Sequence, residues 1–187
     1  DYSRAPGAIR AMLWRELTWN DGTGSYDRLL SMENVTGSGF GDRIDGDDGP
    51  NVLIGGAGND LIQGRGGDDE IFGGAGHDRL YGDSGNDRIW GEAGDDLVHG
   101  GMGDDELHGG EGDDELVGWY GKDVMRGGAG NDTLAGWYDE DALHGDAGDD
   151  SLDGGADGDR LDGGAGEDVI NGGFGGIDLL DDSSDPA

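Results

Sequence analysis

A glycine stands every nine residues from Gly37 to Gly172, sixteen times in succession. With 45 glycines in 187 residues, chance would produce such a run about once in 10¹⁰ sequences. A period of nine confines the chain to a stack of like units, because no unit is long enough to bury a core alone. If each unit is numbered one to nine from its glycine, position eight is aliphatic or Met throughout, from Ile44 and Leu53 by way of Met125 to Leu179. Position six is Asp fourteen times, with Asn51 and Ile177 as exceptions, and position four is Gly except at Phe40, Asp139 and Asp157. Gly55-Gly56-Ala57-Gly58-Asn59-Asp60-Leu61-Ile62-Gln63 is a clean example.

One apolar residue between two variable ones predicts a very short strand whose middle side chain points inward. The six residues before it predict a turn that needs glycine's access to positive φ. Two units make an 18-residue coil of two strands and two turns. Sixteen units then make about eight coils, stacked at about 4.8 Å for a length of roughly 38 Å.

Composition removes most other readings. Asp and Glu number 44 against 11 Lys and Arg, a formal charge of −33, and only 32% of residues are hydrophobic. Such a chain stays unfolded unless something supplies positive charge. Nucleic-acid binding needs the opposite sign of surface. No run of 18 apolar residues predicts a membrane span. Without Cys there are no disulfides, thiolate metal sites or Cys nucleophiles. No His-Glu-x-x-His or Gly-x-Ser-x-Gly motif is present, so the expectation is no enzyme, with any catalytic domain outside this chain.

The pattern Gly-Gly-x-Gly-x-Asp-x-apolar-x resembles the RTX (repeats-in-toxin) calcium-binding repeat over residues 37–180. The resemblance implies an all-β, right-handed parallel β-roll (a β-solenoid) with Ca²⁺ held between the turns of neighbouring coils. It also implies a secreted bacterial protein, exported unfolded by a type I system that reads a C-terminal signal. The acidic tail 181–187 is too short for that signal, so the full protein is expected to continue. The residues argue for the same ion. Carboxylates and turn carbonyls are hard oxygen donors, and flexible turns suit the six to eight ligands of Ca²⁺ better than the strict octahedron of Mg²⁺.

Units two apart stack on one edge, which makes two turn rows. The first carries Asp42, Asp60, Asp78, Asp96, Asp114, Asp132, Asp150 and Asp168. The second carries Asn51, Asp69, Asp87, Asp105, Asp123, Asp141 and Asp159, and ends at Ile177, which cannot ligate. If each ion is shared by two stacked turns as in the family, seven gaps and five gaps predict about 12 ions. Their charge would bring −33 to about −9. One inward apolar side chain per nine residues is a thin core for so glycine-rich a chain, so ion binding is expected to be part of folding, cooperatively along the stack.

Positions seven and nine are expected to face outward. Position nine on one sheet runs Ile54, Phe72, Trp90, His108, Arg126, His144 and Asp162, beside an alternating ladder of Glu70, Arg88 and Glu106. Trp119-Tyr120 and Trp137-Tyr138 stand 18 residues apart, so the two pairs should stack on adjacent coils. These aromatic, His and Arg positions are candidate surfaces for a ligand or a partner. They motivate two alternatives to a calcium-dependent folding and export module. One is a polysaccharide-binding module similar to those that accompany alginate epimerases. The other is a structural or adhesive element of a surface layer or filament. The four His are too dispersed to share an ion.

Residues 1–36 lack the repeat. Asp1-Tyr2-Ser3, Ala5-Pro6-Gly7-Ala8-Ile9 and Glu33-Asn34-Val35-Thr36-Gly37-Ser38 resemble the segment leading into RTX arrays, which implies a β-structured N-terminal cap continuous with the roll. Met12-Leu13-Trp14-Arg15-Glu16-Leu17 also fits a short helix, and Asp21-Gly22 with Thr23-Gly24 predicts a turn.

Overall fold

The structure, a computed structural model, describes residues 1–13 and 34–181. All strand pairs among these residues are parallel and form two sheets. One runs from β1 (Arg10–Met12) and β3 (Arg43–Asp45) through every second unit to β17 (Val169–Asn171). The other runs from β2 (Asn34–Thr36) and β4 (Val52–Ala57) to β16 (Arg160–Asp162) and β19 (Leu179–Asp181). Through the array, residues 18 apart face each other, as in Ile62 with Leu80 and Leu53 with Ile71. The chain is a parallel β-solenoid of about eight coils.

Position eight supplies the core. From Ile44 to Leu161 these side chains are 0–1% exposed, a single ladder down the middle of the roll. Most strands are six residues long, twice the expected length. Pairing continues past position one into positions two and three, as in Gly56 with Gly74 and Ala57 with Ala75. Position one makes this possible. A Cβ on Gly91 would run into Asp96 Oδ2 and the carbonyl oxygen of Gly109, so only a bare Cα lets adjacent coils approach here. The turn proper shrinks to positions four to six.

The described parts of the N-terminal segment extend both sheets. Ala11 takes the register of Ile44, and Val35 that of Leu53. Ile9, Ala11, Leu13 and Val35 join the core cluster. Trp14–Leu17, with the helical alternative, and the turn at 21–24 lie outside the described residues.

The last coil corrects the sequence reading. Leu161 pairs with Leu180, not Leu179, and the backbone amide of Asp159 donates to Asp178 Oδ1 across 19 residues. One extra residue lies between Gly172 and the final strand. It moves Ile177 out of the turn row and puts a carboxylate there, so the second row does not end at Ile177.

Candidate metal centre

From Asp42 to Asp159 each position-six side chain folds under its turn, where it is nearly sealed from solvent. Asp60, Asp69, Asp78, Asp87, Asp105, Asp132 and Asp159 are 1–2% exposed. Oδ1 accepts the backbone N–H of the position-six residue one coil earlier. In the first row Asp42 N donates to Asp60 at 2.6 Å, Asp60 N to Asp78 at 2.7 Å, and so on to Asp150 N and Asp168 at 2.9 Å. In the second row Asn51 N donates to Asp69 at 2.7 Å, and the ladder continues unbroken past the aromatic turns, through Asp105 to Asp123 at 2.8 Å and Asp123 to Asp141 at 2.9 Å.

The other oxygen is left over. Oδ2 of thirteen Asp residues is buried and accepts no hydrogen bond: Asp60, Asp78, Asp96, Asp114, Asp132, Asp150 and Asp168 in one row, Asp69, Asp87, Asp105, Asp123, Asp141 and Asp159 in the other. A buried carboxylate oxygen without a partner is costly. Burial, reinforced by the carboxylates of the coils above and below, pushes Asp105 and Asp141 up to about 8 and Asp60 and Asp114 to about 7. Burial also takes Asp69 to about 7 and Asp87, Asp96, Asp123 and Asp132 to about 6, in each case against the backbone N–H that pulls the other way. A buried carboxylate oxygen with no hydrogen-bond donor has the chemistry of a cation ligand.

The donor set decides which. Among the described residues no three His, Asp or Glu side chains converge on one point, so main-chain carbonyls must complete any coordination shell. The Cβ position of Gly55 lies against both Asp60 Oδ2 and the carbonyl oxygen of Gly73 on the next coil, which brings the two kinds of oxygen together. Carboxylate plus carbonyl, without nitrogen or sulfur, fits a hard divalent cation with many oxygen ligands.

The row heads differ from the rest. Asp42 has both oxygens occupied: Ile9 N donates to Oδ1 and Ser38 N to Oδ2, each at 2.6 Å, with Ser38 Oγ at 3.0 Å from Oδ1. Asn51 Oδ1 accepts from Asp47 N at 2.9 Å. A second ladder escaped the sequence reading. Position-five side chains accept from the coil that follows, opposite in direction to the Asp rows, as in Asp113 N to Asp95, Asn131 N to Asp113 and Asp149 N to Asn131. The signal was present, since position five is polar in every unit from Asn59 to Glu167 except at Gly158.

Outside, Phe72 and Trp90 stack at 4.7 Å, and Trp90 and His108 at 5.6 Å, with ring planes within 5°. Arg126 follows His108 in register. Arg88 lies 3.7 Å from Glu70 and 3.5 Å from Glu106, the alternating ladder expected there. Trp119 stacks on Trp137 at 4.9 Å and Tyr120 on Tyr138 at 4.8 Å. Both Trp residues hold φ near +80°, 83° and 81°, the conformation that Arg65, Asp83, Glu92 and Asp146 also take at this position, where half of the units carry glycine.

Fold and turns together define a β-solenoid whose stacked turns are built around buried carboxylates. Matches to the RTX calcium-binding nonapeptide repeat cover residues 36–71, 45–80, 63–98, 72–107, 99–134 and 144–176, more than half of the chain. The chain belongs to that family, and its array is a calcium-binding β-roll module. A comparison with curated protein sequences returned no match. Among the described residues no helix is long and apolar enough to cross a membrane.

Proposed function

We propose that Ca²⁺ fills both turn rows, each ion bridging the Asp side chains of two neighbouring coils, and that the roll forms only as the ions bind. The observation that carries this is the set of thirteen buried, partnerless Oδ2 atoms. Seven of them in the first row leave six gaps. The six in the second row, with Asp178 beyond them, also leave six. The total is about twelve ions, as the sequence suggests, but divided six and six because Asp42 is already satisfied by protein and Asp178 extends the second row. Modules of this type working outside cells bind in the range of ~10⁻⁴–10⁻³ M. Such sites stay empty in a low-calcium cytosol and fill on release, which suits a chain that folds after export.

The polysaccharide alternative draws less from the Phe72 row. Its rings spend their faces on one another and offer edges to the outside.

Far-UV circular dichroism of chelator-stripped protein, titrated with calcium and separately with magnesium, tests the proposal. A cooperative rise of β signal with calcium alone is expected, with about twelve ions bound at saturation by equilibrium dialysis. A chain already folded at neutral pH in chelator, or one that magnesium folds equally well, would overturn it.

A further inference from the structure

The Trp119–Trp137 and Tyr120–Tyr138 stacks stop abruptly. The next coil after Trp137 and Tyr138 carries Gly155 and Ala156 in the same register, and the coil after that carries Phe174 opposite Ala156. Aromatic residues thus stand on either side of one coil that has no side chain larger than a methyl group at these two positions. Coils are about 4.8 Å apart, so Phe174 stands about 9.6 Å along the axis from Tyr138, twice a stacking distance. The space between is a cleft of about 340 Å³, open to solvent.

Its walls are exposed: Phe174 is 86% accessible and Trp137 45%. The Trp137 ring lies within 9° of the Trp119 plane, so its free face looks along the roll axis into the cleft over the bare backbone of Gly155. Asp153 and Asn171 line the same cleft and are joined by a 3.1 Å hydrogen bond from Asn171 Nδ2 to Asp153 Oδ1.

We propose that this cleft binds one uncharged sugar ring. An aromatic wall matches the apolar C–H face of a pyranose, and the carboxylate and amide beside it match its hydroxyls. The lining has no Lys or Arg and contains Asp153, so it disfavours uronic acids. Tyr138, with Trp137 beside it, closes one end along the axis and Phe174 stands across the other, so the slot takes a single ring and recognises the end of a glycan, not an extended polysaccharide. The site requires a folded roll, whatever the number of ions.

The test uses calcium-loaded protein, its fold checked by circular dichroism, with methyl glucopyranoside, methyl galactopyranoside and N-acetylglucosamine as probes. Saturation-transfer NMR should show contact with the C–H face of at least one, half-saturating on the order of 1 mM, as a single ring permits. Ala156→Tyr continues the tyrosine stack into the slot. It should lose binding more than tenfold while keeping the calcium midpoint and β signal of the parent. No contact by any of the three sugars, unchanged binding in Ala156→Tyr, or preference for glucuronate or indole would each overturn the proposal. A protein that fails to fold with calcium would instead count against the calcium reading.

Discussion

Asp105→Asn should reverse the sign of its effect between calcium and chelator. Asp105 lies in mid-row and is 2% exposed, with Oδ1 accepting the backbone N–H of Asp87 at 2.7 Å and Oδ2 without a partner. An asparagine keeps the Oδ1 acceptor and removes the charge. With calcium, the change weakens the two ions shared with Asp87 and Asp123. At calcium ten times the site dissociation constant, each lost ion costs about 1.4 kcal/mol, so two cost about 3 kcal/mol. For a chain of this size that lowers the melting temperature by roughly 6–12 °C. In chelator the folded carboxyl is pushed up to about 8, first by burial and then by its Asp123 and Asp87 neighbours, while the unfolded chain ionises near 3.8. Holding it protonated at pH 7 therefore costs the roll about 4 kcal/mol. The amide escapes this cost. Melts followed by circular dichroism in saturating calcium read the first arm. The second arm is the pH at which β signal appears on acidifying the chelated chain, which should be higher in the variant. Equal destabilisation in both conditions would refute the reasoning and leave the carboxylate as a packing element.

The chelated parent should itself gain β structure on acidification. Burial places the folded carboxyls between about 6 and 8 at Asp60, Asp87, Asp105 and Asp141, so the stability they confer is complete below the unfolded value and is lost as pH rises through that window. A β signal in chelator that is independent of pH would contradict this. Gly91→Ala should cost about 3 kcal/mol or more in calcium, because its Cβ meets Asp96 Oδ2 and the Gly109 carbonyl; a melt within 2–3 °C of the parent would mean the coils part easily. Ile89→Ala removes a fully buried rung and should cost about 2–5 kcal/mol, with a right-shifted calcium midpoint. Arg88→Ala touches only exposed partners and should change stability by about 0–1 kcal/mol, an effect that ~1 M salt abolishes.

Much of this was legible because a nine-residue period is arithmetic. Once Gly37 and Gly46 set the phase, Leu107 must point inward and Asp105 must recur beneath its turn. Residues 18 apart must be neighbours, and that placed Trp119 against Trp137, Phe72 against Trp90 and Arg88 between two glutamates. The last unit misled, because a period carried forward has no means of absorbing the extra residue before Asp178. Strand length misled as well. Glycine at positions one and two reads as turn, yet the same absent side chains let the sheets run on through Gly56 and Gly74.

The sequence by itself determined the repeat, its inward ladder, the two carboxylate rows and the hard-oxygen character of the ligand, since composition and phase suffice to say which residues share a row. Tertiary structure alone decided how atoms are used within the rows. It gives Oδ1 of each Asp to the coil before and leaves Oδ2 bare, runs the position-five ladder the opposite way, and satisfies Asp42 from Ile9 and Ser38. It also opens one ring's width beside Ala156. These depend on which oxygen meets which amide across a coil boundary, and a periodicity specifies neighbours without specifying the direction in which a hydrogen bond is shared.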